Sequence, residues 1–297
     1  MPDGLSFTWS WSPGVIIFLL ILTLLYLLGL SAARKNVARD PQQRPISPLR
    51  IFAFCAAIVI AALLLLSPIN TIARTQLFSV HMAQAVILTT VCAPLLLAGC
   101  PAALLLPLTE MPIVRGIVRF LTFPLVASVL FNANFLLWHT PRLFGYAMAD
   151  PMVYHTVMLS IFLTALLNWW PLIGSLHSLR NMTYPVQMLY AFFDGQPVDI
   201  FAFVLVFSGT PIFTHYAIPP ALHLSAFADQ AVAGALLLIP GLVDLGVMSP
   251  LFFRWLGQIE HRTRQSDQRR QEEFEDEEDD GEDGILSENV HSRHFEA

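Results

Sequence analysis

Apolar residues along this chain gather into seven long runs, parted by short polar links that contain proline. Read with a window of about 19 residues, the runs are Val15 to Leu30, Ile51 to Leu66, Phe78 to Leu97, Leu121 to Trp138, Met152 to Leu172, Val186 to Phe207 and Ala228 to Leu251. Each approaches the roughly 20 residues that a helix needs to cross a bilayer. The links SPINTIARTQ and HTPRLFGYAMADP are short enough to join antiparallel neighbours. The pattern predicts an all-α polytopic membrane bundle of about seven transmembrane helices.

After Leu256 the pattern stops and a charged segment begins. Such a segment cannot bury enough apolar surface to offset its chain entropy. Residues 1–256 are therefore expected to form the transmembrane domain and residues 257–297 a disordered, charged cytoplasmic tail.

Composition agrees with this division. The 297 residues are 55% hydrophobic and 13% charged, against about 25% charged in an ordinary soluble domain. The net charge of −6 arises mainly from the run Glu272 to Asp283, so it implies no basic partner for the membrane part.

Of the sixteen Lys and Arg residues, fourteen fall in alternate loops and the C-terminal segment: Arg34, Lys35, Arg39, Arg44, Arg50, Arg115, Arg119, Arg180, Arg254, Arg262, Arg264, Arg269, Arg270 and Arg293. The remaining loops hold only Arg74 and Arg142. The positive-inside rule then puts the N-terminus outside and the C-terminus in the cytoplasm, as an odd number of crossings requires. No Lys or Arg precedes the first apolar run, so that run reads as a retained helix and not a cleavable signal. Cys55, Cys92 and Cys100 lack the spacing of a thiolate metal site and read as packing residues.

With this topology, five of the six histidines of the membrane part, His81, His139, His155, His215 and His223, share the outer side, and only His177 of that part is cytoplasmic. Imidazole ligates copper and zinc, and Met thioether selects Cu(I); Met82, Met148, Met152 and Met158 lie on the same side. One reading makes this a metal-handling surface on which His81, His139 and His155 converge. The other makes it a headgroup belt shared with Trp138 and Tyr154. Asp194 and Asp199 flank Pro197 in the sixth run and mark a possible ion or proton path. Asp229 opens the seventh run, as a functional acid or as the cap of its own helix. Nothing signals a phosphate loop, a nucleic-acid patch, or the two His depths of a haem ladder.

The elements SPINTIARTQLFSVHMAQA, LWHTPRLFGYAM, NWWPLIG and YAIPPALHLSAFADQAVAGALLLIPG follow one another in an order that resembles the CtaG-type cytochrome c oxidase assembly factors of bacterial membranes. The resemblance implies a seven-helix inner-membrane protein that helps haem-copper oxidase mature, with copper reaching the catalytic subunit. It carries onto His81 and Gln84 in the H-M-x-Q element, Trp138 and His139 in W-H-x-P, Trp169, Trp170 and Pro171 in W-W-P, and Asp229, Gln230 and Gly234 in D-Q-x-x-x-G. The family pattern often continues to H-M-x-Q-H, where this chain has Ala85. A Glu-His pair expected before W-W-P stands here as Val157 and Met158, the latter a soft donor suited to Cu(I).

The leading expectation is a non-enzymatic, copper-handling chaperone of a cytochrome c oxidase subunit, multi-pass in the inner (plasma) membrane, with His81, His139, His155 and Met158 as metal residues. Gln84, Trp138, Asp194, Asp199, Asp229 and Gln230 are its further candidates. The alternatives are a transporter built on Asp194 and Asp199, and a structural interaction protein that has lost its metal.

Overall fold

Proline opens most of the helices. A computed structural model describes residues 4–39, 46–102, 104–105, 111–176 and 182–293, with the side chains at 36–39 and 272–293 left out. Helices α1 (Pro13–Arg39), α2 (Pro48–Leu66), α3 (Pro68–Thr75), α6 (Pro112–Leu121), α7 (Pro124–Trp138), α8 (Pro141–Ala149) and α9 (Pro151–Ile173) all begin on that residue. At the first helical position the missing N–H costs nothing and φ is already set. The remaining helices are α4 (Phe78–Ile87), α5 (Ala93–Gly99), α10 (Tyr184–Phe207), α11 (Ala226–Leu237) and α12 (Ile239–Arg293). No strand occurs among the described residues.

Among the described residues, six helical segments are long and apolar enough to cross a membrane, or seven if α6 and α7 count as one span. That pair bends by 65°, where the sequence pattern expects one span over Leu121–Trp138. Pro124 forces Phe123 out of helical geometry, to ψ 129°, and so parts the two halves. The links read as loops are also more ordered than the pattern implies. SPINTIARTQ contains α3, whose N-cap Ser67 accepts from the Ile69 amide, and HTPRLFGYAMADP contains α8.

The chain divides into two compact units, Met1–Met248 and Ser249–Ala297. In the first, small residues set the helix spacing, as in bilayers where close van der Waals packing drives association. Ala57, Ala85, Ala93, Ala127, Ala202 and Ala233 are all buried. A Cβ on Gly99 would lie 2.6 Å from the Phe54 amide nitrogen, so α5 meets α2 backbone to backbone. Large apolar side chains such as Ile17, Leu20, Leu24, Phe193, Phe203 and Phe207 point outward, while several Asn, Gln and His are buried. That inversion of the soluble pattern is what a hydrocarbon surrounding favours.

Between α4 and α5 the helix widens into a π turn, Leu88–Cys92. Pro94 cannot donate to the preceding turn and crowds it, so the turn opens. The Thr89 carbonyl there accepts from the Trp169 indole at 2.8 Å, tying α9 to this span.

The segment from 257 continues α12 through Arg293. Glu, Gln and Arg are strong helix formers, and Arg264 pairs with Glu260 one turn earlier. Of the residues that set the expected orientation, Arg44 and Arg180 lie outside the described residues, as do His177 and His294.

Candidate functional site

The site forms where α4 begins, and an acid from another helix holds that beginning in place. Asp229 of α11 accepts from the Phe78 amide at 2.7 Å, the Ser79 amide at 3.2 Å and the Ser79 hydroxyl. It therefore caps α4, not its own helix as expected from its position. The N-cap of α11 is Ser225, which accepts from the Ala228 amide at 3.1 Å. An anion at a helix N-terminus satisfies unpaired amides and the positive end of the dipole together.

One turn on, His81 is 1% exposed and faces His139, 2% exposed, with the two Nε2 atoms 3.2 Å apart. His139 owes its position to the W-H-x-P element. Pro141 pushes Thr140 to extended backbone (ψ 138°), so α7 ends at Trp138 with His139 as its C-cap. The imidazole turns back on its own helix and Nδ1 donates to the Phe135 carbonyl at 2.6 Å. A carbonyl only accepts, so this bond puts the His139 hydrogen on Nδ1 and leaves Nε2 as a lone pair.

On its other side, His81 Nδ1 lies 3.1 Å from the Tyr154 hydroxyl. That hydroxyl also donates to Gln84 Oε1 at 2.5 Å. Gln84 Nε2 donates onward to the Leu64 carbonyl at 2.8 Å and to Asn70 Oδ1 at 3.2 Å. Asn70 Nδ2 then lies 3.3 Å from His155 Nε2. Seven groups from α3, α4, α7 and α9 thus form one chain from the Phe135 carbonyl to His155, with the Leu64 carbonyl of α2 as a branch. Asp150, which accepts from the Met152 and Val153 amides, caps α9 and sets the turn that presents Tyr154.

Aromatic rings enclose the imidazole pair. Phe135 stacks on His139 at 4.2 Å between centroids, and Phe144 stands edge-on to His81 at 5.2 Å. Phe201 adds a third wall, 5.8 Å from His139. Beyond them Phe213 and Tyr216 cover Phe78 and Phe144 from the loop before α11. Burial, with Tyr154 and Asp229 nearby, holds the Tyr216 hydroxyl well above the usual phenol range. Gln230 fastens this loop, accepting from the Ile212 amide at 2.6 Å and donating to Ser208 Oγ at 2.8 Å.

The other residues singled out by the sequence fall elsewhere. His155 is joined to the pair only through Asn70, Gln84 and Tyr154, and with Met158 it lines a separate cavity of about 590 Å³ between α1, α2 and α9. Trp138 is half-buried and packs at the core edge beside His139. His215 and His223 are exposed. Ala85, where the family pattern often has a second histidine, is fully buried. Asp194 belongs to a different network, accepting from Asn168 at 2.5 Å and Asn132 at 3.1 Å. It shares a cavity of about 60 Å³ with Asp199 and Asp244. Among the described residues no group of three or more His, Cys, Asp or Glu is disposed to hold a metal ion.

Tyr154, Asn70 and the Phe135 carbonyl are the parts that sequence reasoning missed. Tyr154 reads as a belt aromatic and Asn70 as a link residue. The available signal was helical spacing: Gln84 follows His81 by three positions, so both lie on one face of α4 and reach the same partner. Replacing Gln84 by leucine removes three interhelical bonds worth about 0.6 kcal/mol each in a bilayer. The expected result is a loss of about 2 kcal/mol, read as a lower unfolding midpoint in detergent.

The buried imidazole pair in its aromatic cage lies inside a bundle of helices long and apolar enough to span a membrane, the architecture of a polytopic membrane protein. The model of the cytochrome c oxidase caa3 assembly factor family (Caa3_CtaG) matches residues 24–258. The chain belongs to that family, and it is a multi-pass membrane protein of bacteria. No curated protein and no solved structure matches it.

Proposed function

We propose that this chain is a non-enzymatic factor that serves a haem-copper oxidase by holding copper cargo between His81 and His139 on the extracytoplasmic side. The observation that carries the reading is the 3.2 Å approach of two buried Nε2 atoms. The lone pair of His139 is turned toward His81, and nucleophile-and-acid pairs that would suit bond cleavage are not part of this centre. The side follows from the loop charges, which assign the start of α4 and the end of α7 to the outer face. The family match supports association with the oxidase or its assembly, and we take an oxidase subunit as the partner.

The test is made in the bacterial host. His81→Ala and His139→Ala are each expected to reduce assembled oxidase, read from its haem absorbance, by tenfold or more, with recovery when copper is raised in the medium. Normal oxidase in both variants would remove the pair from assembly.

A second reading, ion or proton passage, is favoured by the cavity that Asp194, Asp199 and Asp244 share near Pro197, which lies within α10. Gly195 and Gly241 leave room there, since a Cβ on either would come within 4 Å of an Asp199 oxygen. Asp199→Asn in the same strain separates the two: oxidase is unchanged under the copper reading and reduced under this one.

A further inference from the structure

The hydrogen bonds around the imidazole pair can be counted as protons. The chain has four links: Phe135 carbonyl to His139 Nδ1, His139 Nε2 to His81 Nε2, His81 Nδ1 to Tyr154 Oη, and Tyr154 Oη to Gln84 Oε1. Both ends are oxygens that only accept. Gln84 cannot reverse its amide to become a donor, because its nitrogen side serves the Leu64 carbonyl at 2.8 Å. Neutral His139, His81 and Tyr154 bring one hydrogen each. Three hydrogens serve four links, so in the neutral chain one pair of acceptors must face each other without a donor.

With the Tyr154 hydrogen on Gln84 and the His81 hydrogen on Tyr154, the uncovered link falls between the two Nε2 atoms. In that tautomer of His81 two lone pairs point at each other at 3.2 Å in a buried site, an arrangement that costs free energy in a low dielectric; with the hydrogen on His81 Nε2 the uncovered link moves to Tyr154. A single positive charge placed between the two Nε2 atoms completes every link. One neighbour favours that charge: the Phe135 ring stacks on His139 with centroids 4.2 Å apart, and an aromatic face attracts a cation at such range. The surroundings do not favour two charges, because no carboxylate among the described residues hydrogen-bonds either imidazole. The nearest acid in the sequence of contacts, Asp229, is committed to the start of α4. Zinc, moreover, takes four ligands, and only two are present.

We infer that the His81–His139 pair is a two-coordinate site for one monovalent cation, with copper(I) as its cargo, and that Tyr154 and Gln84 are the residues that position it. This rests on the copper-handling reading above and names the charge and oxidation state of what is carried. Metal–imidazole bonds run to about 2 Å, so the rings part by roughly 1 Å on loading. Divalent copper and zinc are refused for want of further ligands and of a compensating anion.

The experiment uses the full chain, purified in detergent under reducing conditions, with copper(I) offered against a competing chelator. The expected result is one copper(I) per chain, an X-ray absorption edge typical of two nitrogen ligands, and no displacement by a tenfold excess of zinc(II). Tyr154→Phe, with its helical circular dichroism unchanged, is expected to weaken copper(I) by roughly 10–100-fold, the usual effect of losing the group that orients a ligand histidine. Zinc bound as tightly as copper(I), or three or more ligands in the spectrum, overturns the monovalent site in the wild-type protein without any variant. Unchanged affinity in Tyr154→Phe overturns the positioning role. Wild type that retains no copper(I), while His81→Ala and His139→Ala still lose oxidase, overturns this inference and leaves the assembly function standing.

Discussion

Gly234→Val is expected to be the most damaging single substitution in the membrane domain. Gly234 sits where α11 crosses α10, and a Cβ there would lie 2.8 Å from the Ala202 carbonyl oxygen and 3.0 Å from Leu205 Cβ. The first of these atoms is backbone, so no rotamer change relieves the contact. The helices must separate, and Ala202 and Ala233, both fully buried, lose the packing that substitutes for a hydrophobic drive inside lipid. Overpacking costs typically 1–3 kcal/mol, and a branched side chain against backbone belongs at the upper end, about 3 kcal/mol or more. For a chain of this size that corresponds to an unfolding midpoint lower by about 6–12 °C. Gly116→Ala is the matched control, because nothing lies within 4 Å of its Cβ position; it is expected to gain the usual 0.5–1 kcal/mol or so of helix propensity. Equal behaviour of the two variants in a thermal scan would show that the crossing is not set by close approach at Gly234.

Asp229→Ala is expected to come next. It strips the cap from α4, leaving the Phe78 and Ser79 amides without the acceptor they share. An N-cap is worth about 1–2 kcal/mol, and the anion's interaction with the helix dipole adds up to about 2 in a partly buried setting, so a loss of about 3 kcal/mol follows. The damage should not stop at stability. His81 is three residues beyond Phe78, and its ring is aimed by the first turn of α4. Copper handling and oxidase assembly should therefore fall with the cap. Asp229→Asn keeps one acceptor but sets an amide against the other N–H, and it should fall between wild type and alanine. If Asp229→Ala leaves the midpoint unchanged, the acid serves something other than α4.

How far the sequence carries depends on which coordinate is asked about. Position along the bilayer normal is legible, because burying one polar group in hydrocarbon costs enough to shape the whole pattern. Runs such as Phe78 to Leu97 and Met152 to Leu172 accordingly correspond to helices. The bend before Pro124 is legible only in outline, since a proline marks a break without saying whether the halves stay collinear. Beyond residue 257 low hydrophobicity argues against a packed core, while Glu, Gln and Arg there are strong helix formers compatible with a solvated helix.

Rotation about the helix axes and partner choice are not written in the pattern. His81, His139 and His155 read alike, as imidazoles near one end of three successive spans. Only the fold sets His81 against His139 and leaves His155 beside another cavity, four hydrogen bonds away. Asp229 similarly reads as the cap of the helix it begins, and the fold gives it to α4.

That apolar helices long enough to cross a membrane occur, and roughly where, was determined by the sequence alone, because the energy of each residue in lipid depends chiefly on its own polarity. Which polar groups meet was decided by tertiary structure. A hydrogen bond needs two atoms within about 3 Å in the right orientation, and that is a property of how helices are turned and spaced. Here alanines, Gly234 and the Asp229 cap do the turning and spacing, and none of them carries the chemistry itself.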